Sequence, residues 1–171
     1  MKKDKEELEK ELPMVKPDFS MADVKNIKYT WIGHSTAVIQ IGPDNFIIDP
    51  VFSERASPSQ LVGPKRFRPP ACSIPELPRI NVVLISHDHY DHLDEAALKS
   101  LHKCFDPLFV AGIGTENVLP KKANSLLMDW MQFSTVGING RNYRITFVPV
   151  CHWSKRGVSD LNTRLWGGFV I

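Results

Sequence analysis

The chain has 171 residues, a formal net charge of +2, 23% charged and 43% hydrophobic residues. That balance describes a globular domain with a water-facing surface and no broad basic field, so no nucleic-acid partner is expected. No apolar run reaches the ~20 residues of a membrane span, and Met1 to Lys5 is not followed by the apolar core of a signal peptide.

Three cysteines, Cys72, Cys104 and Cys151, are an odd number without framework spacing, which points to an intracellular, reducing compartment rather than secretion. Lys2 to Leu12 mixes both charge signs around a single apolar pair, Leu8 and Leu12, so it reads as a solvated helix or a disordered arm. The organisation expected is a charged arm over 1–26 and a folded domain over 27–171.

From Ile27 the pattern changes to short strands. Lys28 to Ile32 and Thr36 to Ile41 are β-rich, and the turn Gly42-Pro43-Asp44-Asn45 leads to a third run, Phe46 to Asp49, giving a β-meander. His34 and Asp49 both fall at strand ends, where sites are commonly built. The plainer alternatives are a satisfied structural histidine and a turn-capping aspartate before Pro50. Residues 50–80 hold seven of the thirteen prolines, a length and composition that read as a packed excursion between two strands. Within it Lys65, Arg66 and Arg68, with Phe67 among them, suit a lipid phosphate or an anionic surface, or equally a solvated loop.

The stretch around which the chain is organised comes next. Asn81 to Ser86 is β-branched, uncharged and too short for a helix, so it reads as a buried strand. Directly after it, His87, His89, Asp91 and His92 place four metal-capable side chains within six residues. Imidazole and carboxylate at this density suit zinc, and also iron or manganese. The absence of cysteine marks a catalytic rather than a closed structural site, because such ligand sets leave a position for water. Asp94 then caps a helix from Glu95 to His102, with Leu98 and Leu101 on one face.

Downstream, Pro107 to Ala111 reads as a strand leaving through Gly112-Ile113-Gly114, which lacks the third glycine of a dinucleotide loop. Leu126 to Trp130 and Thr135 to Ile138 are further strands, and Asn139-Gly140 makes a hairpin turn into Tyr143 to Pro149. That last strand delivers His152, which with His87 and His89 completes a three-histidine set of the kind that holds a catalytic zinc. Cys151 beside it is expected to pack rather than react.

His87-x-His89-x-Asp91-His92 resembles the HxHxDH signature of the metallo-β-lactamase superfamily. Thr30 to Thr36, Ile48 to Phe52, Arg55 to Gln60, Gly63 to Arg68 and His152 to Ser154 narrow the resemblance to the N-acyl-phosphatidylethanolamine-hydrolysing phospholipase D family, from about Tyr29 to Ile171. The resemblance implies an α/β (α+β) fold, a metallo-β-lactamase-like αββα sandwich. It implies a first zinc on His87, His89 and His152 and a second on Asp91 and His92. Asp49 would orient a liganding imidazole, and Asp91 and His34 would serve the chemistry.

In the full family the reaction releases N-acylethanolamine and phosphatidic acid from a phospholipid, which implies peripheral contact with internal membranes. The family's bridging aspartate segment and later histidine have no counterpart here, and the chain closes on the apolar run Leu165 to Ile171. The expectation is therefore the N-terminal half of the fold, with at most one zinc well liganded and doubtful activity. Its open C-terminal edge would pair with a second copy or another partner. The alternatives are hydrolysis of a soluble lactone or phosphodiester, and a non-catalytic truncated form.

Overall fold

The computed structural model describes residues 9–20 and 26–171. Of the charged arm, residues 1–8 and 21–25 lie outside the described residues, while residues 9–11 are helical and exposed.

The expected meander is present. β1 (Ile27–Gly33), β2 (Thr36–Ile41) and β3 (Asp44–Ile48) pair antiparallel in sequence. β3 then lies parallel to β4 (Val82–Ile85), which lies parallel to β5 (Leu108–Gly112), itself parallel to β6 (Ser125–Met128). The six strands form one sheet in the order β1-β2-β3-β4-β5-β6. β7 (Phe133–Ile138), β8 (Arg141–Val148) and β9 (Gly168–Val170) form a second, antiparallel sheet with β8 in the middle.

β4 explains why two layers cover the first sheet. All four of its residues are buried, and alternation sends them to opposite faces. Val83 and Ile85 join Leu98, Leu101, Phe109 and Ala111 beneath the helix α1 (Glu95–Phe105). Val82 and Leu84 instead meet Met128, Ile145 and Phe147 between the two sheets. The described layers are thus helix, sheet, sheet. Leu98 and Leu101 are fully buried, each contributing about 1.5–3 kcal/mol by removal from water.

The helix starts where expected, with Asp94 Oδ1 accepting from the backbone of Ala96 and Ala97 at 3.0 and 3.2 Å. It runs three residues past the expected His102 because the chain does not leave helical geometry until Asp106, whose φ of +48° forms a left-handed cap. The proline-rich excursion is packed, with Ile74, Leu77 and Ile80 buried under the helix side of the sheet.

Where the segment before β9 crosses the end of β5, backbone passes backbone with no space for side chains. A Cβ on Gly112 would sit 2.7 Å from Leu165 O, and one on Gly114 2.7 Å from Thr163 O. A Cβ on Gly167 would lie 2.6 Å from the Phe147 ring. Through this gap Leu165 N–H donates to Ile113 O, and Gly167 N–H to Ser86 O, both at 2.9 Å.

The two sheets are pinned by one buried carboxylate. Asp44, at the start of β3, accepts from Asn139 Nδ2 at 2.6 Å, Tyr143 Oη at 2.6 Å and Arg141 Nη1 at 3.1 Å. Asn139 and Gly140 both have positive φ, as the tight turn between β7 and β8 requires, and that turn aims the amide at Asp44. Burial raises the Asp44 pKa, but the three donors together outweigh it and hold the group below the ordinary carboxylate range. Its contribution is therefore present above the unfolded value of about 3.9 and is lost as pH falls through the lower folded value. Asp44→Ala should cost about 3 kcal/mol near neutral pH by stranding a buried phenol and a guanidinium. Urea midpoints across pH should show the gap to wild type narrowing in acid; a gap independent of pH would remove the carboxylate from the account.

Candidate metal centre

β4 ends at Ile85, and residues 86–94 form the loop that carries the motif into α1. His92 and Leu93 N–H both donate to His89 O, at 3.0 and 2.8 Å, which tightens the loop into a turn. His87 is buried and His89 half-buried. His152 is brought to the same place from the other side. It does not sit at the strand end as expected: β8 stops at Val148, and His152 and Cys151 are exposed on the loop that follows. Cys151 consequently does not pack, correcting the sequence expectation, because it lies beyond the strand that would have buried it.

His87, His89 and His152 each offer a ligand atom, and these atoms all lie within 4.8 Å of one another. The Nε2 atoms of His87 and His152 are 2.9 Å apart, and their rings meet edge to face at 4.2 Å. His89 Nε2 is buried with no hydrogen-bond partner. Trp153 stands against the His89 ring at 4.3 Å.

Burial, then the neighbouring imidazoles of His92, His152 and His89, push His87 down to about 3. His89 is lowered by burial and then by His152. His87 and His89 therefore resist taking up protons. An unpartnered buried nitrogen and two closely facing ring nitrogens fit a shared cation, and no thiolate is among them.

Asp49 fixes the ring orientations. Its φ is +43°, a left-handed turn directly after β3, and its N–H donates to Leu84 O at 2.9 Å. Oδ1 accepts from Ser86 N at 2.7 Å; Oδ2 accepts from Ser86 Oγ at 2.6 Å and faces His92 Nδ1 at 2.7 Å. Ser86 Oγ in turn lies 2.8 Å from His87 Nδ1. A carboxylate only accepts, so this chain of contacts assigns the Nδ1 proton to both rings and leaves each Nε2 with its lone pair free. Burial lowers His92, but the hydrogen bond and charge of Asp49 outweigh it and raise its pKa. The structure thus places Asp49 against the ligand loop, with Ser86 as an intermediary that the sequence reading left out.

Asp91 and His34 stand beside the trio. Asp91 Oδ2 is 3.9 Å from His92 Nε2 and 3.7 Å from His34 Nε2. His34 occupies the turn between β1 and β2 with φ of +56°, and Ser35 Oγ ties that turn to Asp91 O at 2.5 Å. Asp91 and His92 supply two donors of a second set, too few to enclose an ion.

The three basic residues differ in placement. Lys65 pairs with Glu54 at 2.6 Å in the open. Arg68 pairs with Glu9 and the Leu12 carbonyl. Arg66 is half-buried, donates to Val51 O at 2.6 Å and Arg68 O at 3.1 Å, and lines a cavity of about 270 Å³ with His34. A neighbouring cavity of about 590 Å³, also bordered by His34, is walled by apolar side chains including Leu12, Met14, Trp31 and Phe67.

Residues 44–171 match the family model described as Beta-lactamase superfamily domain. The chain is 36% identical over 155 residues to N-acyl-phosphatidylethanolamine-hydrolyzing phospholipase D 1 of Caenorhabditis elegans, covering 83% of this chain and 42% of that protein. It is 31% identical over 144 residues to the mitochondrial N-acyl-phosphatidylethanolamine-hydrolyzing phospholipase D of Saccharomyces cerevisiae, covering 83% of this chain and 31% of that protein. The chain thus spans less than half the length of these relatives. Among solved structures it is similar to a metallo hydrolase of Ignicoccus hospitalis, with TM-score 0.53 and 17% identity over 77% of this chain and 52% of that one. It is also similar to a diiron beta-hydroxylase of Streptomyces venezuelae, with TM-score 0.50 and 18% identity over 72% of this chain and 24% of that one. With most of its length under one family model, on a fold shared with metallo hydrolases, the chain belongs to the beta-lactamase superfamily.

Proposed function

We propose that this chain carries the metal-holding part of a zinc-dependent phosphodiester hydrolase of the N-acyl-phosphatidylethanolamine phospholipase D type, releasing N-acylethanolamine and phosphatidic acid. The convergence of His87, His89 and His152 carries the reading. Its lipid side is supported by the likeness to the two phospholipases and by the apolar cavity beside His34. Trp31, Leu61, Val62 and Phe67 are exposed, which suits peripheral contact with a membrane. Among the described residues no helix is long and apolar enough to cross one.

His87, His89 and His152 would hold the zinc ion, which when bound would supply an acidified water and a Lewis acid for a phosphoryl oxygen. In the reaction, a water oxygen bonds to phosphorus as the phosphorus–oxygen bond on the ethanolamine side breaks. One proton leaves the water and one reaches the departing ethanolamine oxygen. In this reading Asp91 accepts the first, and His34 across from it supplies the second. Both are partly open to solvent and near each other, which lets the pair be reset from bulk water. Asp49 holds His92 directly and His87 through Ser86, keeping their lone pairs turned outward. Arg66, preorganised by two carbonyls beside His34, faces the lipid phosphate as a charged donor, with Lys65 and Arg68 flanking it.

Metal analysis of the folded chain should find zinc near one equivalent. His89→Ala should lower zinc affinity by more than the 10–100-fold typical of losing an outer partner of a ligand; a variant that binds as well as wild type would remove the trio from the proposal. With the zinc-loaded chain, vesicles containing N-acyl-phosphatidylethanolamine should release N-acylethanolamine detectable by mass spectrometry. Turnover confined to soluble diesters or lactones would transfer the site to a water-soluble substrate.

A further inference from the structure

Asp88 lies between His87 and His89 in the sequence, and its carboxylate is taken up by Lys155 and Arg164 of the segment after His152. The group is fully buried. Oδ1 accepts Lys155 N–H at 2.9 Å, and Oδ2 accepts Arg164 Nη1–H at 2.9 Å. The same Arg164 nitrogen donates to Asp160 Oδ2 at 2.8 Å, and Asp160 Oδ1 accepts from Gly157 N at 2.6 Å. One guanidinium therefore folds the loop after His152 and joins it to the ligand loop.

A second arginine closes the same seam from the backbone side. Arg156 Nη1 donates to Asp88 O at 2.7 Å and Leu93 O at 2.9 Å, and its guanidinium lies 4.1 Å above the Tyr90 ring. Tyr90 Oη returns a hydrogen bond to Arg156 O at 3.1 Å. By contrast, His152 is exposed, sits past the end of β8, and among the described residues makes its ring hydrogen-bond contact with His87 alone. Its place is set by the residues that follow it rather than by the strand that precedes it.

We propose that Asp88 is the positioning residue for the third imidazole: its buried pair with Arg164 fixes the loop carrying His152 against His87 and His89. This rests on the reading of the trio as a metal centre. Asp88 touches no substrate and no ion. It acts by limiting where His152 sits, so its loss raises the range of separations among the three nitrogens and weakens a cation that needs all three.

The test is Co²⁺ titration of the full chain with a competing chromogenic chelator, together with the visible spectrum of the bound ion and thermal melting. Asp88→Asn and Arg164→Gln should each weaken Co²⁺ by about 10–100-fold and change band position or intensity, as loss of a partner that orients ligands does. Arg164→Lys, which keeps the charge, should recover most of the affinity. If Asp88→Asn fails to fold, the two Arg164 variants decide the matter. Folded Asp88→Asn and Arg164→Gln proteins with unchanged affinity and spectrum, even at lower melting temperature, would make the pair merely structural and overturn the inference while the metal centre stands. Wild-type chain that takes up no Co²⁺ would overturn both.

Discussion

Three imidazoles whose ligand atoms lie within 4.8 Å of one another are the constraint from which the rest of the structure follows. A proton on His87 would place a positive charge beside neighbouring rings in a buried place, and its pKa is accordingly driven down to about 3. Lone pairs held together in this way are mutually unfavourable until a cation lies among them. The fold holds that arrangement from three directions: Asp49 turns the rings, the ligand loop supplies two of them, and a loop from the second sheet supplies the last.

This division explains the architecture. β4 is short, apolar on both faces and central, so its end is a rigid point from which His87 and His89 are launched. The second sheet packs across that strand through Phe147 and Ile145, and this packing brings the segment after β8 over the strand end. Asp44 joins the two sheets through Asn139, Arg141 and Tyr143, so the layers cannot slide without exposing a buried carboxylate. The three-histidine cluster is thus assembled by layer packing, and no single element contains it.

Contiguous features were legible in the sequence. The run before His87 had to be a buried strand, His87, His89, Asp91 and His92 had to share the loop after it, and Asp94 had to cap what followed. Asn139-Gly140 announced its hairpin through the backbone geometry it favours. What escaped depends on partners far apart along the chain. The Asp88–Arg164 pair spans 76 residues, and no local pattern marks an aspartate inside a ligand motif as the partner of a distant arginine. The last strand was expected to end at Pro149, close to its observed end at Val148, but nothing local marks that His152 stands on a separate exposed loop beyond it. The basic trio looked alike in composition, yet Lys65 pairs in the open with Glu54, Arg68 reaches back to Glu9 and Leu12, and Arg66 is tied to the Val51 carbonyl, distinctions made by partners elsewhere in the chain.

The glycines at 112, 114 and 167 give this centre an unusual kind of vulnerability. They contribute thinness: carbonyls of the loop after His152 pass within 2.7 Å of where a methyl group would stand at Gly112 or Gly114, and an aromatic ring does so at Gly167. A bulkier residue at any of them would leave every ligand intact in composition while shifting the third one out of reach of the first two. The cluster can be disassembled without touching a histidine, by thickening a backbone contact whose own atoms lie outside it.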